Sequence, residues 1–177
     1  MAKIINMCKI VTIFFLSLGL PPLFTPLYAE ITVGILKTID SNSKVRLSHK
    51  NSPVFCQMVG IRTLDDLPTD APDPQQCREQ IESYYQAHPH ERNFAKEVLH
   101  KEQSYHYELF QEGCALYANG PESFSEMLLR RGLALLRSDF SHKEWNGKFQ
   151  RALKGAEEAQ LGLHATQIKK FCMKEEK

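Results

Sequence analysis

Neither sign of charge prevails in this 177-residue sequence, where 22 lysines and arginines meet 21 aspartates and glutamates. A protein that grips long nucleic acid without sequence preference usually shows a basic excess, because phosphate neutralisation dominates such binding; this chain has none. Paired C-x-x-C spacing is absent too, so the cysteines match no zinc pattern of that type. No internal repeat or low-complexity tract is found, and nothing calls for a second domain.

The amino terminus is where pattern first appears. Lys3 and Lys9 precede an apolar run from Ile10 to Leu20, Pro21 and Pro22 then break any helix, and Leu27-Tyr28-Ala29 ends on a small residue. That layout is a secretory signal with cleavage between Ala29 and Glu30. The run is short for a bilayer span, which takes about 20 residues. The alternative, an uncleaved anchor, conflicts with Pro21, Pro22 and Pro26. Cys8 lies inside the apolar run with no small-residue box at the cut, which argues against a lipoprotein. Removing 1–29 takes away two lysines and no acid, so the formal charge moves from +1 to −1. The expected location is exported, periplasmic or secreted.

Cys56, Cys77, Cys114 and Cys172 remain. In an oxidising compartment an even set points to two disulfides, with three connectivities open; buried free thiols are the alternative.

Ile31, Val33 and Ile35 alternate, as do Val45 with Leu47 and Val54 with Cys56 and Met58. Turn-forming residues at Asp40–Ser43 and Lys50–Pro53 separate these runs, so a three-stranded antiparallel meander is expected. A Pro- and Asp-rich stretch from Asp65 reads as a loop, followed by a helix from Pro74 to Gln86 and a second from Glu91 to Glu102. Ser104–Phe110 and Cys114–Tyr117 read as a tight hairpin. Ser123 and Glu126 have capping-box form, Gly132 suits the end of that helix, and a last helix spans Lys143 to Gln160 with Trp145, Phe149, Ala152, Leu153 and Ala156 as its buried stripe. The whole reads as an α+β domain, a barrel of OB type with roughly five strands and about three to four helices.

Three stretches give the chain a family likeness: Leu36–Asp40 through Val45-Arg46-Leu47, then Met58–Thr63, then Tyr117-Ala118-Asn119-Gly120 leading to Met127–Ala134. With the closing Gly155–Leu163 they resemble the staphylococcal-nuclease, or thermonuclease, family. His164 stands where that family usually has tryptophan. The resemblance implies a nuclease-like OB domain over 30–165, a helical insertion near 66–89, and a tail at 166–177 read as solvated. It also implies neighbouring third and fifth strands, and so a Cys56–Cys114 pair, leaving Cys77 to Cys172.

Family nucleases hold one Ca²⁺ with two aspartates, activate water near a glutamate and clamp the phosphate with two arginines, as a hard cation and an anionic transition state require. On the matching positions Asp40 begins the first turn, but the calcium aspartate beyond it is Asn42 or Ser43. The first arginine is Gln57, the second aspartate is Arg62, Thr63 is kept, and the glutamate is the shorter Asp65. The loop that carries the second arginine is deleted, because Phe110 reaches Cys114 through Gln111-Glu112-Gly113 alone. A guanidinium at 62 repels a divalent cation. The resemblance therefore implies a degenerate site without metal or cofactor, on a non-catalytic binding or scaffold module of the cell envelope. Its partner would be an envelope protein, for example in a motility or secretion assembly.

The rival reading is a secreted nuclease acting on DNA or RNA with Ca²⁺ or another cation, in which Asp40, Asp65 and Asp66 supply oxygens and Arg62 the clamp. A third is an OB domain that binds oligosaccharide or single strands without cutting. His88, His90, His100 and His106 lack a recognisable metal spacing. Tyr84, Tyr85, Tyr105, Tyr107 and Tyr117 read as barrel wall and core before they read as base-stacking platforms.

Amino-terminal sequencing of the exported protein is expected to begin at Glu30. A mature chain that still carries Phe14 to Leu20 would refute cleavage.

Overall fold

A computed structural model describes residues 30–173; the signal reading of 1–29 and the last tail residues lie outside them. The strands are β1 Thr32–Ile39, β2 Lys44–His49, β3 Ser52–Gln57, β4 Ile61–Thr63, β5 Ser104–Phe110, β6 Gly113–Asn119, β7 Glu122–Ser123 and β8 Ala134–Leu136. The helices are α1 Pro74–Ala87, α2 Pro89–Arg92, α3 Phe94–Val98, α4 Phe124–Arg130, α5 Lys143–Glu158 and α6 Thr166–Cys172, with 3-10 turns at Leu64–Thr69 and Gly162–His164. The class is mixed α+β. Six strands in the order β3-β2-β1-β5-β6-β7 form an antiparallel sheet, and β4 pairs with β8 in a second sheet.

The meander is present as β1–β3. Its second hairpin turns through Lys50 and Asn51, both with left-handed backbone (φ 48° and 66°), the geometry that matches strand twist in a two-residue loop. β1 shows its aliphatic alternation to the outside: Val33 and Ile35 are exposed, while Gly34 and Leu36 face the core. The inward position suits glycine, since a Cβ at 34 would lie 3.1 Å from Tyr107 and 3.2 Å from Leu47. Strand period alone does not choose between the two faces.

The edges of the large sheet approach each other at one point. Met58 makes a parallel bridge with Cys114, and the Val59 amide donates to the Cys114 carbonyl at 3.0 Å. Beyond this bridge the ladder between β3 and β6 is open. Cys56 and Cys114 lie at disulfide distance with Cα atoms 5.3 Å apart, and Cys77 and Cys172 likewise at 4.9 Å. These are the two pairs that the resemblance implies. A cross-link over loops of this length contributes about 2–4 kcal/mol, by restricting the unfolded chain.

Two expectations require correction. The helix expected over Glu91–Glu102 is two short pieces, α2 and α3, broken at Asn93. The buried Asn42 side chain causes the break: its amide donates to the Glu91 and Arg92 carbonyls at 3.0 and 3.3 Å, and its carbonyl accepts from the Ala95 amide at 2.9 Å. The tail, read as solvated, contains α6, which buries Ile168 and Cys172 and packs on α1. Among the described residues no helix is long and apolar enough to cross a membrane.

At the end of α4, Gly132 takes φ +67° and meets the backbone of Leu161 and Gly162, where any Cβ would collide. The Leu163 amide donates to the Gly132 carbonyl at 2.8 Å. This contact docks the Gly162–His164 turn and buries His164, whose Nε2 has no hydrogen-bond partner. Burial holds the imidazole below its ordinary value, with Glu157 opposing the shift and Lys169 adding to it. The unfolded chain therefore binds this proton more readily than the folded one. The stabilisation is complete above about pH 6.5, the unfolded value, and declines as pH falls through the lower folded value. The urea midpoint of the wild type is expected to drop over that acidic window by more than that of His164→Phe. Parallel profiles for the two proteins would exclude His164 as the cause.

Candidate functional site

Of the positions that the resemblance singles out, Gln57, Arg62, Thr63 and Asp65 lie at the end of β3, on β4 and in the Leu64–Thr69 turn. Gln57, Ile61, Arg62, Asp66, Leu67, Asp70, Leu135–Asp139, Cys172 and Met173 line an open cleft of about 1000 Å³.

Asp40 does not reach this cleft as a free ligand. It accepts from Arg46 Nε at 2.9 Å and from Thr38 Oγ1 at 3.1 Å. Asn42 is buried and spends its whole amide on α2 and α3, as described above. Ser43 is also buried, and its hydroxyl lies 3.5 Å from Asp66 Oδ2. Gln57 lines the cleft as a neutral group.

Arg62 is half-buried at the cleft wall. Its Nη2 pairs with Asp70 Oδ2 at 2.8 Å and also donates to the Asp66 carbonyl at 3.3 Å. Thr63 is buried and heads the next turn: its amide and hydroxyl both donate to Asp66 Oδ2, at 3.2 and 2.8 Å. Asp66 is thus a capping residue with one oxygen committed.

Asp65 points away from the cleft, toward the insertion. It lines a second, smaller hollow with Arg78, Glu82, Tyr85 and Arg92, and Tyr85 of α1 donates to it at 3.2 Å. Burial raises its carboxyl above the ordinary value, against the lowering hydrogen bond of Tyr85, and Asp66 raises it further. The same contact, with burial as the larger cause, pushes the Tyr85 hydroxyl up. One of the Asp65 oxygens is already engaged by the Tyr85 hydroxyl.

Sequence reasoning missed Asp70, Arg137 and Asp139. Arg137 forms a forked pair with Asp139, Nε to Oδ1 at 2.9 Å and Nη2 to Oδ2 at 2.5 Å, with Glu112 at 4.0 Å. This pairing holds Arg137 above and Asp139 below their ordinary values. An Arg-Ser-Asp triplet after a short strand carries no periodic signal, and only the fold brings it into the same cleft lining as Arg62.

Among the described residues no group of three or more His, Cys, Asp or Glu is arranged to hold a metal ion. His90 pairs with Glu97 at 2.7 Å and the His88 ring stacks on Tyr84, so neither joins a donor cluster. Tyr85, Tyr105 and Tyr107 are buried in the core. Neither a protein-family model nor a curated protein sequence matches this chain.

Asn42→Asp places a carboxylate at the first-turn position and tests what that residue does. It replaces a two-bond donor by an acceptor facing two carbonyl oxygens, and is expected to destabilise the fold by about 2–3 kcal/mol in urea titration, with no stabilisation on adding Ca²⁺. A calcium-dependent rise in the midpoint would show a metal site after all.

Proposed function

We propose that this chain is an exported, non-catalytic protein of nuclease-like OB type, working as a binding or scaffold module in the cell envelope. The observation that carries the reading is the Arg62–Asp70 ion pair. The guanidinium occupies a position where a cation-binding nuclease needs an acid, and a neighbouring aspartate neutralises it. Catalysis of phosphodiester cleavage asks for fixed positive charge directed at the phosphate and for oxygen ligands directed at a metal. Here Arg62 and Arg137 are turned onto aspartates, Asn42 is committed to helix ends, and Asp65 is engaged by the insertion.

The OB assignment draws support from the strand order, from the β1–β5 pairing, and from the Met58–Cys114 bridge that brings β3 to β6. Export draws support from the amino-terminal pattern together with two cysteine pairs at bonding distance. A binding role draws support from the outer face of β1, where Val33 and Ile35 are 46% and 40% exposed, with Ile31 just before the strand 58% exposed. The proposed partner is an envelope protein.

Pure mature protein incubated with DNA and with RNA, in Ca²⁺, in Mg²⁺ and in chelator, is expected to leave both intact. Metal-dependent cleavage that Asp65→Ala abolishes would reverse the assignment in favour of a secreted nuclease.

A further inference from the structure

The segment that follows α5 is attached to the domain along a narrow seam, and we infer that residues 162–171 form a proton-operated strap, docked while His164 is neutral and released when its ring takes a second proton. At the seam Gly132 and Gly162, with φ +67° and +53°, lie backbone against backbone: a Cβ on Gly132 would collide with the Leu161 carbonyl, and one on Gly162 with the Gly132 carbonyl. Among the described residues a single backbone hydrogen bond, from the Leu163 amide to the Gly132 carbonyl at 2.8 Å, joins the strap to a distant part of the fold.

The remaining attachments are few. Leu163 and Ile168 bury their side chains, and the Cys77–Cys172 pair at bonding distance fixes the far end of α6 on α1. A three-residue turn and a seven-residue helix held in this way belong to the low-stability end of a structure, which opens locally before the whole domain unfolds. The cysteine pair keeps the opened segment a closed loop between Leu161 and Cys172.

His164 lies in the turn that makes the seam and is buried there, and its Nε2 has no hydrogen-bond partner among the described residues. A neutral imidazole carries one N–H. With no acceptor at Nε2, the tautomer that fits carries it on Nδ1. A second proton then adds a positive charge and a buried donor, neither of them compensated in the docked form. The charged groups that face the ring are Glu157 of α5, which favours the proton, and Lys169 of α6, which opposes it. Arg131, beside the seam, turns its guanidinium onto Phe94. The two near charges act in opposite senses, and burial is the larger effect. Undocking returns the ring to water, so the open strap binds the proton more readily than the closed one and acid shifts the population toward it.

The test is native-state hydrogen exchange by mass spectrometry on the oxidised mature protein, with rates corrected for the intrinsic pH dependence of exchange. Between about pH 7.5 and about pH 5, either side of the ordinary histidine value, protection over the strap is expected to fall about tenfold or more while that of β2 holds. In His164→Phe and His164→Gln, which do not titrate, the ratio of strap to β2 protection is expected to be the same at both pH values, with thermal melts verifying that each variant folds. An unchanged ratio in the wild type overturns the strap, and so does loss of protection in step across the whole domain. An acid response as large in either folded variant as in the wild type assigns the effect to other groups and overturns it as well.

Discussion

The contact between β3 and β6 is the constraint from which the rest of the molecule follows. Cys56 lies opposite Cys114, Met58 bridges to the same residue, and Gly113 passes against the Gln57 carbonyl, where a side chain would collide. These contacts draw one edge strand of the sheet toward the β5–β6 hairpin and fix where the chain goes after Gln57. Gly60 then turns with φ +73° beneath Phe140 and Phe149, and β4 emerges to pair with β8. Arg62 and Thr63 owe their places to that path. So does Arg137, whose amide donates to the Gly60 carbonyl at 2.9 Å.

A second constraint acts on the other side of the cleft. Helix α1 packs both on the Leu64–Thr69 turn and on α6. Cys77 of α1 and Cys172 of α6 are buried at bonding distance, so the two segments hold each other. Their joint position gives Asp65 to Tyr85 and gives the cleft its Cys172–Met173 wall. Electrostatics then completes what packing begins. Each arginine near the cleft finds an acid within a few residues of its own chain segment, Arg62 with Asp70 and Arg137 with Asp139.

Much of this was legible in sequence wherever a local rule governs. The hairpin at Lys50-Asn51, the Ser123–Glu126 capping box and the stop at Gly132 each rest on a few neighbouring residues, and each is where the spacing places it. The illegible parts depend on contacts between distant segments. No helical pattern around residue 93 announces that Asn42, some fifty positions earlier, divides the helix there. The alternation of Ile31, Val33 and Ile35 marks a strand without saying that tight packing of Gly34 on Tyr107 turns those aliphatics outward. At the site, Gln57 and Arg62 could be picked out directly, but the pairing of the cleft arginines turned on Asp70 and Asp139, which no motif singles out.

The neutralised arginines also bear on why such a site persists as a cleft. A buried or half-buried charge without a partner is costly. Asp70 supplies one to Arg62 from an exposed position. An exposed pair adds little to stability, so the aspartate is not explained by the energy of the pair alone. Arg137 and Asp139 repeat the arrangement just after β8, so both guanidiniums that line the cleft are held by acids of their own chain segments.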